Sequence, residues 1–272
     1  MNELKVKTNF TDIYTQDSPY EYLKEMNRLE YSIADSTKPL YNSIIEQLEE
    51  TLSRPINILD LGSSYGINSA LMKYDLTMLE LNNFFLTGTK PTKKEIKQFY
   101  KECKNNDNMN FYQIDISKEA LKFSQEMNLC KKGMNVNLES EKLNLRESLP
   151  KIDIVIATGC VGYIGYKAFL NLLKIIKNRQ LNSKKSEKEF ITPIFAFSVL
   201  RMFDMNDIEE VFEMYDYSIV KSDIKPIHQR SFSDVKEKAQ TISILHEREI
   251  DTKKYEDEGN FYADFYIARP KK

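Results

Sequence analysis

The stretch Ile56-Asn57-Ile58-Leu59-Asp60-Leu61-Gly62-Ser63-Ser64-Tyr65-Gly66-Ile67-Asn68 constrains this chain more than any other. A short apolar run ends beside an aspartate. A turn bearing Gly62 and Gly66 follows, and SYGINSALMKY can open a helix directly after it. An apolar run closed by glycine is the pattern of a strand buried on both faces, which belongs to parallel sheets covered by helices on both sides. On open sheets of that kind ligands bind outside the carboxyl ends of the strands, and Asp60 and Gly62 stand at such an end. Glycine there lets the backbone approach a ligand closely.

The rest of the chain repeats the alternation. FYQIDIS reads as a strand and KEALKFSQEMNL as a helix; MNVNLE is a short strand. IDIVIAT is the clearest buried strand and YKAFLNLLKIIKN its helix. RQLNSKKSEKEF is a polar exposed loop leading to the strand ITPIFAFSVL. DMNDIEEVFEMY is a helix, YSIVKSD a strand, and NFYADFYIARP the last strand. Upstream, SPYEYLKEMNRLEYSIA places Tyr22, Met26, Leu29 and Ile33 at helical spacing, with Ser18 and Pro19 as cap and first turn. A second helix, LYNSIIEQLEETL, is expected to begin after Lys38-Pro39 and to stop at Pro55.

These units predict an α/β fold with a mainly parallel Rossmann-like sheet of seven strands, the last one antiparallel, covered by helices on both faces. Residues 1–54 form an N-terminal helical cap and 55–272 the main domain, with insertions at about 75–108 and 224–260. The first insertion is expected to be helical, Thr92 capping TKKEIKQFYKEC. Excursions of this sort in α/β enzymes serve as walls or lids over a site, or as plain surface.

Charge narrows the function classes. The 39 basic and 41 acidic residues nearly cancel, which speaks against a protein whose main partner is nucleic acid. Cys103, Cys130 and Cys160 are odd in number and widely spaced. With only two histidines, neither a disulfide framework nor a structural zinc site is expected, and no metal. The amino terminus lacks a signal-peptide pattern. The most apolar stretch, Ile152 to Leu173, carries Asp153, Lys167 and three glycines, so no membrane partner is expected and the location is expected to be cytoplasmic.

Three ligand classes compete for the turn after Leu61. A dinucleotide fingerprint starting at Gly62 needs glycine at 64 and 67, where Ser64 and Ile67 stand. The phosphate-binding pattern GxxxxGK[ST] is absent, and Asp60 is poorly placed beside a pyrophosphate. A ligand carrying a cationic amino group suits Asp60 better.

ILDLGSSYG resembles motif I of the class I S-adenosylmethionine-dependent methyltransferases, usually a hydrophobic strand followed by D/E-x-G-x-G-x-G. The resemblance implies that Asp60 helps hold the methionine end of S-adenosylmethionine, and that Gly62, Ser63, Ser64, Tyr65 and Gly66 line it, with S-adenosylhomocysteine as product. Ser64 departs from the pattern where the middle glycine usually sits. Phe111 to Ser117 followed by KEALKFSQ is similar to the family's second motif, implying that Asp115 takes the ribose hydroxyls with Ile116 beside it. A carboxylate can accept both hydrogen bonds; Asp115 or Ser117 fits equally as the cap of the next helix. A rival for the ribose is Glu80, which lies 20 residues beyond Asp60 against 55 for Asp115. Asp115 is preferred because IDISKEALKF matches over consecutive positions. Asn135 to Leu138 resembles the third strand end, implying adenine contacts from Asn137, where the family commonly has Asp, and from Leu138. Ile152 to Gly159 resembles the fourth strand, implying Thr158 and Gly159 near the transferred methyl. The likeness covers roughly residues 55–200 and the final strand.

The acceptor side is thinner. Methyl transfer from a sulfonium needs collinear positioning and a base only where the nucleophile must lose a proton. His228 (KPIHQR) is the candidate base, ahead of His246. Tyr14, Tyr31 and Tyr163 are candidate substrate-binding residues, with Tyr20 as another aromatic of the N-terminal helices; aromatic faces attract cations. Cys160 is expected to be a packed small residue. The loop after the fourth strand lacks the N/D-P-P-Y signature of base-methylating enzymes. The expected function is methylation of oxygen or nitrogen on a small molecule. The alternatives are methylation of protein or RNA, or a non-catalytic binding protein of the same fold.

Overall fold

A computed structural model describes residues 11–140, 149–182 and 192–271. The central strand is β1 (Ile56–Leu61), and its alternation sorts the two faces of the sheet. Leu59 and Leu61 join one apolar cluster, whereas Ile56 and Ile58 join another on the opposite face. β1 pairs in parallel with β2 (Met109–Asp115) on one side and β4 (Ile154–Ala157) on the other. β3 (Lys132–Asn135) extends the sheet beyond β2, and β5 (Ile194–Leu200) extends it beyond β4. β8 (Asn260–Pro270) runs antiparallel between β5 and β6 (Tyr217–Lys221), giving the order β3-β2-β1-β4-β5-β8-β6. This is the Rossmann-like arrangement expected, with the last strand antiparallel.

The sheet of the described residues has eight strands rather than seven. The additional β7 (Ile227–Ser231) lies in the segment read as the second insertion. Its register, Ile227 opposite Ala263 and Ser231 opposite Asn260, places it along the same strand that β6 pairs with between Tyr266 and Pro270. β6 and β7 are therefore successive pieces along one edge of β8, interrupted by Asp223 to Pro226; proline has no N–H to give the ladder. The same segment then forms α10 (Val235–Glu247), capped by Asp234.

Helices cover both faces. α8 (Val161–Asn182), bent at Gly165 (φ 57°), and α9 (Asn206–Met214) pack their Phe169, Leu172 and Phe212 against Phe195 and Phe197. On the other face α3 (Ile33–Glu49) lays Tyr41, Ile44, Ile45 and Leu48 against Ile58, Phe111 and Ile156. α4 (Ile67–Lys73) follows β1 directly, as expected. The first insertion is helical: α5 (Met78–Leu86) and α6 (Lys93–Glu102) begin with capping boxes, Thr77 with Glu80 and Thr92 with Glu95. α7 (Lys118–Glu126) is capped by Ser117.

The amino-terminal helices break elsewhere than the sequence suggests. α1 (Thr11–Tyr14) is followed by α2 (Tyr20–Arg28), and α3 runs through Pro39 without stopping. The break falls at residues 29–32, where Glu30 turns left-handed (φ 53°). Those residues dock on β7: Ser32 N donates to Gln229 O at 3.0 Å, and Ser231 N to Leu29 O at 2.7 Å. A proline inside a helix costs about 3 kcal/mol; the buried face of α3 on the sheet offsets it. Ser18 is buried but makes no cap, and Pro19 stands at the cap position itself. Among the described residues no helix is long and apolar enough to cross a membrane.

Candidate functional site

Chain connections leave β1 toward β2 on one side, while β4 flanks it on the other, so the crevice at the carboxyl end of β1 is the switch point of the sheet. The turn there is built from left-handed residues: Gly62 (φ 61°), Ser64 (φ 51°) and Gly66 (φ 78°). Gly62 N and Ser63 N donate to Ile114 O at 2.9 and 3.3 Å, and Gly66 N donates to Ser63 O at 2.9 Å. A Cβ on Gly62 would stand 2.7 Å from the Cβ of Cys160, so only glycine fits. Ser64 accepts the left-handed geometry that the resemblance assigns to glycine, at a cost of about 1–2 kcal/mol. Its amide is held by the Asp115 carboxylate at 2.8 Å.

Asp60 is fully buried beneath this turn. Asn68 Nδ2 donates to its Oδ1 at 3.0 Å, and Oδ2 has no protein partner. Burial pushes its pKa up to about 8; the Asn68 bond pulls the other way and the Asp115 charge adds to the rise. Ser63 Oγ and Ser64 Oγ are likewise buried without a protein partner. Three oxygens short of hydrogen bonds thus cluster at one turn, where each carries a desolvation penalty until a ligand or water answers it.

Asp115 sits at the carboxyl end of β2. One carboxylate oxygen accepts Ser64 N and the other Ser117 N, each at 2.8 Å. Burial raises its pKa and these amides oppose the rise. Each oxygen keeps capacity for a further donor. Ile116 beside it is 76 % exposed, an apolar side chain facing solvent at the strand end. Glu80, the rival, is spent on its own helix: Oε2 accepts Thr77 N and Thr77 Oγ1, both at 2.8 Å.

A cavity of about 90 Å³ opens over the turn. Its floor is Gly62, Ser63, Ser64 and Asn68, and Thr158, Gly159 and Cys160 form one side. Thr158 shares a 2.7 Å hydrogen bond with the Tyr41 hydroxyl, Gly159 N donates to Ser198 Oγ at 3.1 Å, and Cys160 Sγ donates to Leu61 O at 3.1 Å. The roof is aromatic: Tyr14, Tyr22, Tyr31 and Tyr163, with Met26. Burial raises the phenol pKa of Tyr14, Tyr22 and Tyr31, so these hydroxyls stay protonated and neutral. The far wall is Gln229 and Arg230 of β7. Arg230 is clamped by Glu237 at 2.7 and 2.9 Å, and Gln229 Oε1 is buried with no protein partner.

The amino-terminal segment closes this roof. The Tyr65 hydroxyl donates to the carbonyls of Ile13 and Gln16 at 2.9 and 3.0 Å and accepts Gln16 N at 3.1 Å. Ser117 Oγ donates to Tyr14 O at 2.5 Å while accepting Ala120 N. Tyr65 therefore points away from the cavity and ties down its cover.

Of the residues expected at the site, the cavity is lined by Gly62, Ser63, Ser64, Thr158, Gly159, Tyr14, Tyr31 and Tyr163. Asp60 and Asp115 are outside the lining and meet it through Asn68 and the Ser64 amide. Gly66 lies behind the turn, where a Cβ would meet Ser124 Oγ at 2.5 Å. Asn137 is exposed and its Oδ1 accepts Glu139 N at 2.9 Å, while the Leu138 side chain is buried in the core. His228 is outside the cavity lining; its Nδ1 shares a 2.7 Å hydrogen bond with Ser32 Oγ and its ring meets Tyr262 edge-on. His246, on α10, shares a 3.3 Å hydrogen bond with Thr252 beyond that helix, and Tyr20 lies under Lys90, neither in the lining. Tyr22, Met26, Gln229 and Arg230 belong to the cavity and carry no motif; Asn68, at the end of the Ile56–Asn68 stretch, belongs to it too. Among the described residues no group of His, Cys, Asp and Glu is arranged to hold a metal.

No family model matches the chain. No curated protein matches it. Among solved structures it is similar to magnesium protoporphyrin IX methyltransferase from Synechocystis PCC 6803 with bound SAM, at 11 % identity and a TM-score of 0.43, over 94 % of this chain and 88 % of that one. It is also similar to precorrin-6y C5,15-methyltransferase from Geobacter metallireducens GS-15 (11 % identity, TM-score 0.39, 81 % and 82 % covered). A third is a ribosomal protein L11 methylase from Lactobacillus delbrueckii subsp. bulgaricus (13 %, TM-score 0.38, 84 % and 78 % covered). At such identities and TM-scores none of these likenesses bears on the chemistry.

Proposed function

We propose that the chain is a class I methyltransferase that lays S-adenosylmethionine across the carboxyl ends of β1, β2 and β4. The observation that carries this reading is the set of buried oxygens without protein partners at the β1 turn, with the Asp60 carboxylate among them. Two carboxylates, Asp60 and Asp115, stand around a turn that lacks the glycines of a dinucleotide cradle. The Asp115 charge repels a pyrophosphate and suits a diol, and Asp60, which an ammonium would draw into its ionised form, suits a cationic group at the other end of the ligand. The donor set fits S-adenosylmethionine: Asp60, Ser63 and Asn68 would hold the amino-acid end, Asp115 the ribose, and Ile116 and Asn137 the adenine side.

S-adenosylmethionine supplies an electrophilic methyl group on a sulfonium. The protein's part is to orient and to exclude water. Thr158 and Gly159 follow β4 beside the cavity, and their hydrogen bonds to Tyr41 and Ser198 fix that edge. Tyr14, Tyr22 and Tyr31 cover the space with aromatic faces, which attract positive charge. Their protonated hydroxyls donate hydrogen bonds and do not act as bases. With His228 bonded to Ser32 outside the lining, the reaction relies on positioning, which alone is worth several kcal/mol. The acceptor is a small molecule presenting an oxygen or nitrogen lone pair, a reading supported by the aromatic cover over the cavity.

Equilibrium binding of S-adenosylmethionine, S-adenosylhomocysteine and NAD by calorimetry tests this on wild type, Asp115→Ala and Glu80→Ala. The reading expects both sulfur nucleosides to bind, NAD not to, and only Asp115→Ala to lose affinity. Binding of NAD alone sinks it. His228→Gln is expected to leave S-adenosylhomocysteine affinity unchanged; a tenfold loss (about 1.4 kcal/mol) would put His228 in the site.

A further inference from the structure

A larger cavity, of about 240 Å³, lies on the α9 side of the sheet beyond β5. Leu200, Phe203, Met205 and Ile250 give it apolar walls, and Arg248 and Asp264 reach into it from α10's end and from β8. Phe203 packs on Gly162, whose Cβ position its ring would occupy at 2.0 Å, next to Tyr163 of the first cavity.

The charged groups around this space divide into engaged and spare. Arg201 is engaged: it pairs with buried Glu256 at 2.8 Å, donates to Asp251 O at 2.7 Å and lies over the Tyr255 ring. Asp204 Oδ1 accepts Asn206 N at 2.8 Å. Arg248 is half-buried, gives one hydrogen bond, to Arg201 O at 3.1 Å, and has no ion-pair partner among the described residues. Asp264 has a side chain only 11 % exposed; Oδ2 takes Lys221 Nζ at 2.7 Å and Oδ1 is buried with no protein partner. One guanidinium fork and one buried carboxylate oxygen are left over, flanked by apolar surface, while Asp204 is exposed to solvent.

That remainder selects a ligand. A simple anion on Arg248 leaves Asp264 Oδ1 unanswered and faces its charge. A simple cation on Asp264 meets Arg201, Lys221 and Arg248. A ligand carrying both charges answers both groups, and an apolar side chain fills the walls. We propose that this cavity is a second small-molecule site that takes an α-amino acid with an apolar side chain, its carboxylate on Arg248 and its ammonium on Asp264. It stands whether or not the crevice at β1 takes S-adenosylmethionine.

The test is calorimetry on the full chain with L-phenylalanine and L-leucine, and with phenylacetate and phenethylamine, which each lack one charge. Charge-assisted hydrogen bonds set the scale: each singly charged analogue is expected to bind roughly tenfold or more weaker than phenylalanine. Arg248→Gln should weaken phenylalanine by a similar factor and leave phenethylamine unchanged, with Arg248→Lys in between because it keeps the charge and loses the fork. Asp264→Asn should weaken phenylalanine and spare phenylacetate. If that variant fails to fold for want of its Lys221 pair, the analogue series on wild type makes the same comparison. The proposal is overturned if neither amino acid binds at millimolar concentration, or if Arg248→Gln binds phenylalanine as wild type does.

Discussion

Replacing Asp60 by Asn should make the ligand-free protein more resistant to denaturant as pH rises, although it removes the carboxylate on which the proposed ligand site rests. The carboxyl is fully buried, and its pKa in the fold is about 8 against an ordinary 3.8. A carboxyl raised in the folded state binds its proton more tightly there than in the unfolded chain. Its ionisation therefore destabilises the fold: no cost below pH 4, a cost growing through the window up to about 8, and constant above. At pH 7 the difference of about three units is worth on the order of 4 kcal/mol, with a slope of about 1.4 kcal/mol per pH unit. Glu256, raised to about 7 by burial, contributes in the same direction, so the wild-type curve alone does not isolate Asp60. The difference between wild type and Asp60→Asn does, since Asn retains a partner for Asn68. Urea unfolding of both proteins from pH 5 to 9 is the assay. The stability gap should widen in favour of the variant up to pH 8 and then level off. A gap that stays flat across that range would refute the burial argument.

Other perturbations probe the scaffold of the site. Tyr65→Phe removes the hydroxyl that ties Ile13 and Gln16. A stability loss of about 1 kcal/mol is expected, with faster hydrogen exchange at the Gln16 amide; unchanged exchange would show that the cover is held elsewhere. Gly62→Ala forces a Cβ to within 2.7 Å of Cys160 at a left-handed position. It should lower stability by about 1–3 kcal/mol in urea titrations, and Gly62→Ala with Cys160→Gly should recover part of the loss. Arg54→Met strips the two 2.7 Å hydrogen bonds from Asp153, which is fully buried at the start of β4. Leaving that charge unpaired should cost about 3–5 kcal/mol, read from the urea midpoint; a loss within 1 kcal/mol would contradict it.

The sheet was legible because its central strands are buried on both faces and so appear as mainly apolar runs. INILDL, IDIVIA and ITPIFAFSVL need no tertiary knowledge to be seen as strands. β7 was not legible. IHQRS carries a histidine, a glutamine and an arginine, and becomes a strand because it continues along an edge of β8 and accepts residues 29–32 on its other side. Gln229 and Arg230 were missed as cavity residues for the same reason. The one available signal was Glu237, seven residues on, whose carboxylate clamps Arg230 at 2.7 and 2.9 Å. The helix break was placed at Pro39 by local propensity, whereas docking on β7 moved it to Glu30. Ser64 is the opposite case: its left-handed φ of 51° shows why glycine suits that position, and the hydrogen bond its N–H donates to Asp115 joins the two segments that the sequence could only set side by side.

Calorimetric titration of S-adenosylhomocysteine at pH 7, in two buffers of different ionisation enthalpy, tests the central claim most directly. With a pKa of about 8, Asp60 is mostly protonated before binding and must ionise to meet the ligand's ammonium. The account predicts binding with release of about 0.9 proton per site, and loss of both affinity and proton release in Asp60→Asn. No binding, or binding that persists in Asp60→Asn without proton release in either protein, would contradict it.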